Sequence, residues 1–194
     1  MKDAYAYPST APPRFAPVMR LPACLVGLAT LALTAVAQTC SSGLWPLPQS
    51  MQFGLQPAAL ASQAAFTWTA NINDDILAAA LKRYASIVFA PTQPTLVAPT
   101  FAGGVISGVM VNVSASSTEL PLQLGVNESY TLSVPSPSAS NAIAFINAVT
   151  VWGALRALET FSQLVSVGAG GSLFVPCVPT SITDAPRFPV RSPR

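Results

Sequence analysis

Apolar and polar positions along this chain follow two periods, one of three to four residues and one of two, and the changes between them locate its elements. In Thr150 to Val165, TVWGALRALETFSQLV, the apolar residues Val151, Leu155, Leu158, Phe161 and Val165 recur every three or four positions, with Arg156, Glu159 and Gln163 opposite. That is the period of an amphipathic helix of about four turns, and the Thr150 hydroxyl is placed to cap it. Arg156 and Glu159 are spaced to pair on the wet face, for roughly a few tenths of a kcal/mol. A second helix is predicted from a cap at Asn73 to about Val88, with Leu77, Leu81, Tyr84 and Val88 as its buried stripe and Lys82 and Arg83 in water. Asp74 and Asp75 fall in its first turn, where the helix dipole favours anions. Neighbours on a helix do not converge on one substrate atom, so the two read as helix-start residues rather than a catalytic pair.

The period-two runs predict strands. Ser41 to Gln56 opens with two prolines and continues as a short apolar strand, with Trp45 expected to be partly buried. Further strands are expected over Phe66 to Ala70, Gly104 to Ser114, Ser129 to Val134 and Ala142 to Ala148. The turn-forming PSPSASN between the last two makes them an antiparallel hairpin that feeds into the Thr150 helix. Pro91 to Pro99 and Leu120 to Val126 read as loops. Gly168 to Ser172 is a glycine-rich turn with no lysine nearby to make it a phosphate loop, and Ser172 to Val175 is a short strand expected to end at Pro176.

Composition narrows the chemistry. Of 194 residues, 51% are hydrophobic and 8% charged, and there is no histidine. Catalysis through Ser-His-Asp or Cys-His, and zinc held by imidazole, are thereby excluded for this chain acting alone. No cofactor is implied. The formal charge of +2 arises ahead of Gln38, where Lys2, Arg14 and Arg20 meet only Asp3. Beyond that point six bases meet six acids, leaving no basic patch for nucleic acid.

The apolar run Leu21 to Ala37 follows Arg20 and ends Ala35-Val36-Ala37, which is the order of a secretory signal peptide cleaved before Gln38. A signal anchor is the alternative. The run is short for a bilayer span, so no stable membrane span is expected after cleavage. Residues 1–37 thus read as a leader, and a start at Met19 would make it more compact. Secretion brings oxidising conditions in which Cys40 and Cys177, left after Cys24 is removed, are candidates for a disulfide. Two sequons, at Asn112 and Asn127, then become glycosylation candidates, and Asn127, just ahead of a predicted strand, is the better placed.

Four motifs carry a family resemblance. LWPLPQSMQFG resembles the WPxPxxxxxG opening of the accessory domain in eukaryotic-type β-N-acetylhexosaminidases of glycoside hydrolase family twenty. NESYTLSV resembles its ESYxLxV strand, WGALRALETFSQLV its WGALRGLETFSQL helix, and ITDAPRFPVR its DxPRFPxRG exit segment, all in the family's order. The resemblance implies an α+β fold, an antiparallel β-sheet with two helices packed on one face, over 38–191. It also implies a secretory location, extracellular or in a lysosome or vacuole. In that family a catalytic barrel follows and holds the residues that hydrolyse terminal N-acetylglucosamine or N-acetylgalactosamine. Here Ser192-Pro193-Arg194 replaces the expected glycine and apolar strand, so no catalytic residue carries over to any position. Two readings follow: a non-catalytic domain truncated before its barrel, with Arg187, Phe188 and Arg191 as barrel-interface candidates, or a stand-alone secreted module binding a protein partner or glycan.

Overall fold

Tyr130 to Val134 and Ala142 to Thr150 alternate buried and exposed residue by residue, as strands do when one face is covered and the other is wet. A computed structural model describes residues 43–90, 104–136 and 142–186, all within one compact unit running from Ala37 to Arg194. Its elements are β1 (Ser50–Leu60), β2 (Thr67–Ala70), α1 (Asp75–Phe89), β3 (Val105–Ala115), β4 (Tyr130–Val134), β5 (Ala142–Thr150), α2 (Val151–Leu164), β6 (Ser166–Val167) and β7 (Leu173–Asp184). A single 3-10 turn, Ala169–Gly171, separates the last two strands.

The strands form a seven-stranded sheet in the order β1-β3-β5-β4-β7-β6, with β2 alongside β3 and β7 also pairing with β1. Four of its seven pairings are antiparallel: β1–β7, β4–β5, β4–β7 and β6–β7. The hairpin expected of β4 and β5 is among them. β3 is the exception, running parallel to β1, β2 and β5. The two helices pack on one face: α2 over β3, β4 and β5 and against α1, and α1 against β2. Between helices and sheet lies the core, in which Phe66 meets Phe89 edge-on at 5.4 Å and Trp68 meets Phe161 at 6.0 Å. The fold is α+β, as the pattern and motifs imply. No helix among the described residues is long and apolar enough to cross a membrane.

Several expectations need correction. The α1 cap is Asp74 rather than Asn73, because Asp74 has extended backbone angles and its carboxylate accepts the Leu77 N–H at 3.0 Å. β7 does not stop at Pro176 but runs on to Asp184. Both Pro176 and Pro179 sit where its pairing with β1 shifts register, between Phe53 and Gln56 and between Gln56 and Ala58, so the missing N–H groups break no regular ladder. On α2, Gly153, Ala154, Ala157 and Leu164 are buried while Leu155 and Val165 are only half so. Small residues let this helix approach its neighbours closely, so the buried stripe keeps Val151, Leu158 and Phe161 and widens to take them in. Trp45, expected to be partly buried, is 82% exposed, and the neighbouring Leu44 takes the core position instead.

Candidate functional site

The helix α2 carries the most distinctive text of the chain, and each of its polar side chains has a definite partner. At its start the Thr150 hydroxyl accepts the Gly153 N–H at 3.3 Å and donates to the Asn127 carbonyl at 2.5 Å. One side chain thus caps the helix and ties down the loop before β4. Gly153 lies so close to that loop that an added Cβ would stand 2.6 Å from the Ser129 carbonyl oxygen. Trp152 donates its indole N–H to the Leu120 carbonyl at 2.8 Å.

Further along, Arg156 pairs with Glu128 at 2.7 Å, again on that loop. It does not pair with Glu159, as the spacing alone suggested, because Glu159 is drawn elsewhere. The Tyr84 hydroxyl of α1 donates to Glu159 at 2.8 Å, and the Gln163 amide donates to the other Glu159 oxygen at 3.1 Å. Gln163 then closes on the Trp45 backbone from both sides, accepting its N–H at 2.7 Å and donating to its carbonyl at 3.0 Å. Burial, and then the bond to Glu159, push the Tyr84 phenol above its ordinary value. The pair of amide bonds fixes the backbone of Trp45 while its indole stays in water.

Asp74, Glu119 and Asp184 serve the same purpose. Asp74 accepts the Ser117 N–H at 2.8 Å and its hydroxyl at 2.6 Å, so it joins the start of α1 to the loop after β3. Burial pushes its carboxyl up, but the bonds from Ser117, Leu77 and Ile76 outweigh this and hold it below the usual carboxylate value of 3.8. Glu119 closes a local turn by accepting the Ser116 N–H at 2.7 Å. Asp184 accepts the Gln49 N–H at 3.1 Å and lies 3.5 Å from the Tyr130 hydroxyl, which also bonds Thr160 at 2.6 Å. Burial drives the Tyr130 phenol up to about 12; the bond with Thr160 opposes the shift and nearby Asp184 adds to it. Gln49 also bonds the Ala185 carbonyl at 2.9 Å, so Trp45 to Gln49 runs beside the end of β7.

These arrangements hold structure, and among the described residues no Asp or Glu lines any of three cavities. One cavity bounded by described residues, about 140 Å³, is lined by Leu44, Phe53, Gln163, Leu164, Val175 and Cys177 among others, with no carboxylate. Two shallower hollows of about 300 and 220 Å³ on the sheet are likewise lined without Asp or Glu. Asn127 is exposed, whereas Asn112 is half-buried and bonds Asn147 at 3.0 Å across β3 and β5. Cys177 is buried and disulfide-bonded; Cys40 lies outside the described residues, as do Arg187, Phe188 and Arg191. Sequence reasoning missed the clamp of Gln163 on Trp45 and the junction of Tyr130, Thr160 and Asp184. The one available signal was that Glu159 and Gln163 stand four apart on the polar face of α2.

The family described as "beta-acetyl hexosaminidase like" matches residues 44–164, which hold α2, both of its tethered loops and the Trp45 segment. Beta-hexosaminidase subunit beta of Mus musculus is 34% identical over 186 residues, covering 92% of this chain and 33% of the mouse protein. Beta-hexosaminidase 1 of Arabidopsis thaliana is 36% identical over 177 residues, covering 84% of this chain and 32% of the plant protein. The chain therefore spans about a third of the length of these curated relatives. Among solved structures, the chitobiase of Flavobacterium johnsoniae superposes with a TM-score of 0.55 at 23% identity, covering 75% of this chain and 21% of that one, which is a likeness of fold. With the motifs in order, the sheet and two helices in place and the family match running from Leu44 to the end of α2, this chain belongs to the β-acetyl hexosaminidase-like family, as its N-terminal accessory domain.

Proposed function

We propose that this chain is the supporting domain of a β-N-acetylhexosaminidase that removes terminal N-acetylglucosamine or N-acetylgalactosamine, and that it performs no chemistry itself. The observation that carries this reading is the use of the acids: Asp74, Glu119, Glu128, Glu159 and Asp184 are each committed to a cap, a loop or a strand end. Hydrolysis assisted by the sugar's own acetamido group still needs a carboxylic acid to protonate the leaving oxygen and a carboxylate to orient that acetamido group in one cavity, and committed carboxylates lining no described cavity do not supply them. The chemistry then belongs to a catalytic barrel following this domain in a longer product.

Trp45 and Leu47, 82% and 50% exposed, supply an apolar edge next to the end of β7, where a following domain would begin. An exposed tryptophan with a fixed backbone suits a partner surface. The leader and the disulfide at Cys177 favour the secretory pathway, ending outside the cell or in a lysosome or vacuole. The same edge also serves the second reading, a stand-alone secreted module whose partner is another protein or a glycan. Sequencing the transcript past Arg191 separates the two. Barrel-coding sequence in the mature message is expected, and a stop codon with no such sequence downstream would defeat the first reading.

A further inference from the structure

We infer that Asn127 carries an N-linked glycan and that Asn112 does not, although both stand in sequons. This rests on the reading that the chain enters the secretory pathway. Asn127 is exposed, in the loop that Thr150, Trp152 and Arg156 tie to α2. Its Oδ1 accepts the Ser129 N–H at 2.9 Å, the turn in which an Asn side chain folds back on the backbone two residues on. The amide nitrogen has no hydrogen-bond partner among the described residues, and Ser129 of the sequon lies beside it in the same turn. The backbone carbonyl is held separately by Thr150, so a sugar on the side chain displaces none of the contacts that fix the loop.

Asn112 differs in each respect. It lies within β3, whose neighbouring residues pair with β5 on one side and with β2 and Asn71 on the other. Its Nδ2, the atom that would bear the sugar, donates to Asn147 at 3.0 Å. A glycan there would cost that bond and stand on a sheet face that includes the part-exposed Phe145 and Val149.

The transfer requires a lipid-pyrophosphate-linked oligosaccharide as donor, which the secretory route supplies. A bond forms between Asn127 Nδ2 and C1 of the donor's first N-acetylglucosamine, and the bond from C1 to the pyrophosphate oxygen breaks. The amide gives up one proton, the lipid pyrophosphate leaves, and nothing is oxidised or reduced.

The full chain is to be produced in a secreting eukaryotic cell twice, once with its own N-terminus and once with an established cleavable signal ahead of it. Peptide mass spectrometry then reads occupancy at both asparagines. The expected result is a glycan on Asn127 and an unmodified Asn112 in both versions. Asn127→Gln and Ser129→Ala each abolish the single glycan shift, Ser129→Thr keeps it and Asn112→Gln leaves it unchanged. A glycan seen only with the added signal supports the site but defeats the secretory reading. Protein recovered from the medium with Asn127 bare, or with Asn112 occupied, overturns the inference.

Discussion

Gly153 sits on α2 where the loop before β4 passes closest, and a Cβ there would also stand 3.1 Å from the Glu128 carbonyl carbon. In an open helix, Gly→Ala gains about 1 kcal/mol. Here backbone must move to admit the methyl, so Gly153→Ala is predicted to lose about 2 kcal/mol, read as a lower denaturation midpoint; a gain would contradict the packing described. Asp74 gives a second prediction, in pH. Its folded carboxyl is held below 3.8, so its contribution is complete above that ordinary value and disappears as pH falls through the lower folded value. Melting curves from neutral pH down to about pH 3 should therefore show an acid loss that Asp74→Asn reduces, and an unchanged acid limb would count against the Ser117 tether. The helix-start character of Asp74 was legible from its place ahead of an apolar period. Its Ser117 partner lies forty-three residues away, and no local pattern encodes a bond across that separation.

At the scale of elements, α2 and the β4–β5 hairpin were legible because each pairs a clear period with a clear boundary: Thr150 for the helix, PSPSASN for the hairpin. β7 was not, since proline usually ends a strand and only the facing irregularities of β1 allow this one to continue. The site was less legible than the fold. Arg156 and Glu159 have helical spacing, but stronger geometry from Glu128 and Tyr84 draws them to different partners. What the spacing of Glu159 and Gln163 leaves unsaid is that their bonding continues to Trp45. Gln163→Met should therefore free the Trp45 amide to exchange hydrogen faster, with a stability loss of about 1 kcal/mol. Unchanged protection of that amide would show that the clamp contributes nothing.

At the scale of the whole molecule, the buried, disulfide-bonded Cys177 has two possible partners in the chain, Cys24 and Cys40. On the proposal that residues 1–37 are a cleaved leader, Cys24 leaves with it, and non-reducing peptide mapping of the mature protein should recover Cys40 linked to Cys177. Cys177→Ser should cost about 2–4 kcal/mol, and a free Cys40 in the mature protein would contradict the assignment. Named bonds from α2 reach a loop, the neighbouring helix, strand β4 and the Trp45 segment, so the family signature reads as the frame of a supporting domain. The most direct test of that claim is hydrolysis of a chromogenic N-acetylglucosaminide by the purified chain, with its folding verified by a cooperative melt. No turnover above the uncatalysed rate is the result predicted; turnover by the folded chain that disappears on substitution of its own carboxylates would contradict it.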